Sequence, residues 1–154
     1  MSKVFIYNEL ELAVAKYGLF ANERIMDFCK HYPEEINFCG SKQGLKVFDT
    51  MYGLFIGWSC AIHDATFAII ARDFVNEVRS GIPEITAYAR LQYRVKKANA
   101  MMLANMVLII AKDSNWLTVL PRCYRACTYF LGTHYGGENA IMDTVEEIRT
   151  NSDD

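Results

Sequence analysis

The chain has 154 residues, 52% of them hydrophobic and 13% aromatic against 22% charged, with a formal net charge of -2 at pH 7. A domain of this length buries roughly two thirds of its unfolded surface, so it needs neither a disulfide framework nor a metal to fold, and the composition excludes a disordered chain. Nucleic-acid binding has no electrostatic basis, because Arg90, Arg94, Lys96 and Lys97 run straight into the apolar stretch Ala98 to Ala111 instead of forming a basic stripe.

Helical spacing dominates, and no segment sustains strand alternation between turn residues, which predicts a single all-α domain over residues 1–154 with about six helices. The first helix is expected from about Tyr7 to Tyr17, ending at Gly18. The second starts at an Asn22 cap and stops before Pro33. Residues Glu34 to Gly44, "EEINFCGSKQG", read as a loop, and "LKVFDTMYGLFIG" as a helical or turn-rich approach. A helix from about Trp58 to Ser80 follows, punctuated by Gly81 and Pro83. The next is long, about Pro83 to Lys112, with Pro tolerated in its first turn. "DSNW" ends it, Pro121 opens a helix through about Leu131, "GTHYGG" reads as a turn, and a last amphipathic helix runs from Glu138 to Arg149 before the polar tail. That last helix directs Ile141, Val145 and Ile148 inward.

The N-terminus has charges within its apolar stretch and no cleavable leader pattern, so a cytoplasmic location is the expectation. Ala98 to Ala111 contains two asparagines and falls short of the ~20 residues of a membrane span, which makes it a buried helix. Met101, Met102, Leu103, Met106, Val107 and Ile110 read either as core or as the lining of a lipid or partner groove. Five cysteines, an odd number, favour free thiols. Cys123 and Cys127 share a helix face near His134, yet no further Cys or His pair completes a zinc set.

The run "GWSCAIHDATFAI", residues 57–69, puts His63 beside Asp64 among apolar neighbours. On a helix the two diverge by about 100°, so they cannot form a dyad and must face different tasks. One possibility is a satisfied core histidine next to a capped or paired aspartate. Another divides a hydrolysis between them, the histidine taking a proton from water and the aspartate holding a metal.

Cys60, His63, Asp64 and Phe67 give C-x-x-H-D-x-x-F, which resembles the active helix of the phospholipase A2 superfamily, C-x-x-H-D-x-x-Y. "FCG" at Phe38 to Gly40 resembles the Cys-Gly of that family's calcium loop, and "VFDTMYGLFIGWSCAIHD" resembles the approach to the helix in phage-encoded members. Downstream, "RVKKANAMMLANM" and "RCYRACTYFLGTHYGG" are similar to the family's second helix and closing pattern, so the resemblance covers about residues 38–137.

The resemblance implies a helical core in which His63 is the general base and Asp64 a ligand of Ca2+, with main-chain carbonyls near Cys39 and Gly40 completing the site. It implies a phospholipid or other ester as substrate and, for a phage-encoded chain, the cytoplasm of an infected host cell. It also implies a possible pairing of Cys39 with Cys60 in an oxidising setting; in the cytosol both are expected as thiols. The aspartate that orients the family's histidine falls at Asn99.

Three departures follow. Asn99 accepts a hydrogen bond but has no charge to stabilise an imidazolium, a type of change that costs about 10⁴ in rate in an unrelated serine protease. Asp73 cannot stand in, because ten residues of helix at ~1.5 Å each carry it about 15 Å from His63. Phe67 keeps the packing of the tyrosine and loses its hydroxyl. The loop "CGSKQG" has few glycines and puts Lys42 beside a site meant for a dication. The functional expectation is therefore either a calcium-assisted ester hydrolase of reduced activity or a catalytically lapsed scaffold. An alternative is a non-enzymatic helical protein that binds a host or viral protein. A third is an HD-type metal phosphohydrolase using His31, His63, Asp64 and Asp113, against which Pro33 ends the helix carrying His31.

Overall fold

Local chemistry sets the first two helices. α1 spans Tyr7–Tyr17 and stops at Gly18, whose φ of 66° lies in the left-handed region and whose N–H closes on the Val14 carbonyl at 2.9 Å. α2, Glu23–His31, begins where the Asn22 Oδ1 accepts the Ile25 N–H at 2.9 Å. Pro33, lacking an N–H, opens a separate 3-10 turn over Pro33–Glu35. The structure, a computed structural model, describes residues 4–38, 50–51 and 53–152.

Three long helices carry the rest: α3 Gly57–Arg79, α4 Glu84–Asp113 and α5 Val119–Ser152. With α1 and α2 they make an all-α fold, as expected from the helical spacing, and none of the described helices is long and apolar enough to cross a membrane. One feature of the approach to α3 was not foreseen. β1, Thr50–Met51, pairs antiparallel with β2, Leu54–Phe55, setting Thr50 opposite Phe55 and Met51 opposite Leu54. Two-residue strands are too short for alternation to register in a sequence.

The second difference lies at the C-terminal end. The two helices and "GTHYGG" turn expected over residues 121–149 are one helix of 34 residues. Among the described glycines only Gly18, Gly53 and Gly81 have positive φ, so Gly132, Gly136 and Gly137 lie within the helical ladder. Each glycine costs a helix about 1 kcal/mol against alanine. Packing on both sides of them offsets that cost: Ala126 is buried in one cluster and Ile141 and Val145 in another.

Those two clusters divide the core lengthwise. One joins α1, α2, β2 and the start of α3 to Met102, Met106, Ile109 and Ile110 of α4. The other joins Ile70, Phe74 and Val75 of α3, Leu91, Val95 and Ala98 of α4, and Ile141 and Val145 of α5. Met102, Met106 and Ile110 are thus core, Met101 and Leu103 are partly buried against it, and Val107 is exposed. The expected inward face of Ile141, Val145 and Ile148 holds.

Buried polar groups stitch the elements. Asn105, fully buried, accepts the Phe20 N–H through Oδ1 at 2.7 Å and donates from Nδ2 to the Phe20 carbonyl at 3.1 Å. Arg122 reaches the end of α4, donating to the Asp113 carbonyl at 3.1 Å and to Ser114 Oγ at 2.8 Å, and so satisfies a helix C-terminus. Gly57 opens α3 beneath the Phe38, Phe55 and Trp58 rings, whose centroids lie 5.3–5.8 Å apart. Phe38 itself has φ 44°, a left-handed conformation rare for an aromatic residue and held here by this ring cluster and Phe5.

Candidate functional site

α3 and α4 bring His63 and Asn99 together at the boundary between the two apolar clusters. Ala65 on α3 and Met102 on α4 belong to one cluster, Ile70 and Ala98 to the other. The His63 Nε2 lies 2.8 Å from Asn99 Oδ1, and both side chains are buried. With Nε2–H as donor, Nδ1 keeps its lone pair and can accept a proton. Phe67, one turn on, sets its ring 4.1 Å from the imidazole centroid. The Asn99 amide and the Phe67 ring thus both pack directly against the His63 imidazole.

Burial decides the charge state of this histidine. Loss of water lowers the His63 pKa to about 4, with the Asn99 hydrogen bond pulling weakly the other way. The ring is neutral at pH 7 and can act as a base. A neutral amide beside it offers little to an imidazolium. Asn99 Nδ2 is buried with no hydrogen-bond partner among the described residues, a donor suited to an ordered water.

Asp64 turns away from His63, as the 100° divergence requires, toward the segment after the 3-10 turn. Its Oδ2 accepts the Asn37 backbone N–H at 3.0 Å. Burial raises its pKa to about 7, and the Asn37 hydrogen bond offsets only part of that. The Cys29 thiol, fully buried, is pushed up to about 12 by burial and then by the Asp64 carboxyl, which leaves it inert as a nucleophile. Asn37 and Cys29 were not singled out in the sequence. A backbone N–H carries no residue-type signal, and Cys29 reads as a small hydrophobe until its neighbour is known.

The donor set around Asp64 fits an oxygen-seeking dication in one respect: a half-buried carboxylate with no cationic partner among the described residues has its charge state to gain from one. Cys39, Gly40 and Lys42 lie outside the described residues. Among the described residues, no three His, Cys, Asp or Glu side chains group closely enough to hold a metal. Cys60 is disulfide-bonded, against the expectation of a thiol in the cytosol, and among the described residues Cys29, Cys123 and Cys127 are free cysteines.

The HD-type quartet does not assemble. Asp113 ends α4, fourteen residues and about 21 Å of helix from Asn99. There it accepts hydrogen bonds from Tyr17 and from Lys16 Nζ, the latter at 3.2 Å, and these hold its carboxyl below the usual range. His31 donates or accepts through Nδ1 at the Asp27 carbonyl, 2.8 Å away, on the exposed end of α2. Asp73 is engaged by Arg24, at 2.8 Å from its Nη1, and takes no part at His63.

Two cavities flank the region. One of about 370 Å³ is lined by Arg24, Phe28, His31, Tyr32 and Arg72; the other, about 460 Å³, by Phe5, Pro33, Ile36, Asn37 and Phe38. The second borders the Asp64 partner Asn37, and neither is lined by His63. No protein-family model, curated protein or solved structure matches this chain.

Proposed function

We propose that the protein is a phospholipase A2-like ester hydrolase of phage type, slowed by the loss of one charge. The observation that carries the reading is the 2.8 Å hydrogen bond between His63 Nε2 and Asn99 Oδ1, which orients a neutral imidazole with Nδ1 as its basic atom. Asp64 would hold a calcium ion with main-chain carbonyls near Cys39 and Gly40. When bound, that ion supplies positive charge to the carbonyl oxygen of the ester.

His63 Nδ1 takes a proton from a water whose oxygen attacks the ester carbonyl carbon, and the imidazolium then returns the proton to the leaving alkoxide. Asn99 holds the ring in place and leaves the imidazolium without a counter-charge. Phe67 adds packing and no polar link. A phospholipid is the substrate class that the resemblance favours.

A second reading keeps the scaffold and drops the catalysis, leaving a helical protein that binds a host or viral partner. The packing of Phe67 on the imidazole and the absence of His63 from both cavity linings favour it. Calcium titration by calorimetry, followed by ester turnover, separates the two. The hydrolase binds calcium in a manner lost in Asp64→Ala and turns over in a manner lost in His63→Ala. Absence of both in the wild type retires the enzyme and leaves the binding protein.

A further inference from the structure

α5 is amphipathic in an unusual sense, because it is apolar on two faces. Its inner face buries Ala126, Ile141 and Val145 in the core. On the opposite side of its first half, Leu120, Tyr124, Cys127, Leu131 and Tyr135 recur at spacings of three and four residues, continuing the line begun by Leu117 just before the helix. That is the spacing of a seam along one helix face. The large side chains in it are between 51% (Leu131) and 81% (Tyr135) exposed.

We propose that this stripe is a self-association surface on which a second copy of the chain packs, α5 against α5. Five large side chains exposed to this degree present roughly 700 Å² of mostly apolar surface, above the few hundred Å² usual for a monomer and close to the ~800 Å² per partner of a standard interface. The stripe contains no Asp, Glu, Lys, Arg or His, so two identical stripes meet without opposing like charges, as a two-fold contact requires. A Cβ built on Gly132 or Gly136, along the flank of the stripe, meets nothing within 4 Å, so a partner helix can approach the backbone there.

The charge pattern selects a protein copy over a lipid surface. Helices that lie on membranes are rich in Lys and Arg beside their apolar face. Here Arg125 is the exposed cation next to the stripe, while Asp143, Glu146 and Glu147 follow on the exposed face of the same helix.

Sedimentation equilibrium of the full chain under reducing conditions tests the proposal, with Leu131→Asp in the stripe and Leu12→Asp, a still more exposed leucine on α1, as the control. Circular dichroism verifies that each variant folds. The expected result is a concentration-dependent dimer that Leu131→Asp weakens about tenfold or more and Leu12→Asp leaves intact. A wild type that is monomeric at about 100 µM, too weak for a specific interface, overturns it. So does a dimer insensitive to Leu131→Asp, or a monomer that co-sediments with phosphatidylcholine vesicles.

Discussion

His63 and Asn99 are 36 residues apart in sequence, and their side chains meet at 2.8 Å in the boundary between two apolar clusters. The contact fixes the ring, and burial leaves it uncharged. The same hydrogen bond that makes His63 a candidate base therefore also limits it, because an amide oxygen cannot balance the charge that proton uptake creates.

Restoring that charge should restore rate. In Asn99→Asp a carboxylate stabilises the imidazolium, so the His63 pKa rises from about 4. Ester turnover should increase by about 10²- to 10⁴-fold, taking the cost of the reverse change in a protease as the scale. Histidine titration by NMR and a turnover assay on the same variant check both halves. A raised pKa without any turnover would separate the electrostatics from the proposed chemistry.

The pH dependence of stability should contain two opposed contributions. His63 is lowered from 6.5 to about 4, so between those values the unfolded chain binds a proton that the folded one refuses, and stability falls as pH falls. Asp64 is raised from 3.8 to about 7, so the folded state holds a proton over that range that the unfolded chain has lost, and stability falls as pH rises. The two largely cancel between about pH 4 and 6.5 in the wild type. Urea titrations of Asp64→Asn should show stability rising over that window and level above it.

Removing the Asn105 side chain should be costly out of proportion to its size. Asn105→Ala strips both partners from the Phe20 backbone, leaving a part-buried N–H and C=O unpaired. The expected loss is about 2–4 kcal/mol by chemical denaturation, with the α1–α2 connection most affected. Asn105→Asp, which keeps the acceptor for the Phe20 N–H and loses the donor, should fall between the two.

A methyl group at residue 57 should strain the aromatic cluster. In Gly57→Ala the new Cβ overlaps the Phe55 ring and comes within 3.0 Å of Phe38 Cδ1, and neither ring is free to swing away from Trp58. A loss of about 1–3 kcal/mol in a urea melt is expected, typical of overpacking.

Much of the architecture was legible because it is written in short-range signals. Gly18, the Asn22 cap, Pro33, and the Gly81 and Pro83 pair act within a turn of where they stand, so α1 to α4 begin and end within a residue or so of expectation. The glycine signal failed at Gly132, Gly136 and Gly137. A glycine in a helix costs only about 1 kcal/mol, and packing of Ala126 on one side and Ile141 and Val145 on the other outweighs it. The β1–β2 pair was invisible because two residues make no period.

The sequence by itself determined that His63 and Asp64 point to different neighbours, since adjacent residues on any helix diverge by about 100°. It also carried the pattern that nominates Asn99 and Phe67 as companions of His63. Only the tertiary structure decided that the His63 ring is buried and neutral, that Asp64 accepts from the Asn37 backbone and lies beside Cys29, and that Asp113 belongs to Tyr17 and Lys16. Charge state and hydrogen-bond partners depend on which groups exclude water from one another. That is a property of surfaces brought together from distant parts of the chain, and no local spacing encodes it.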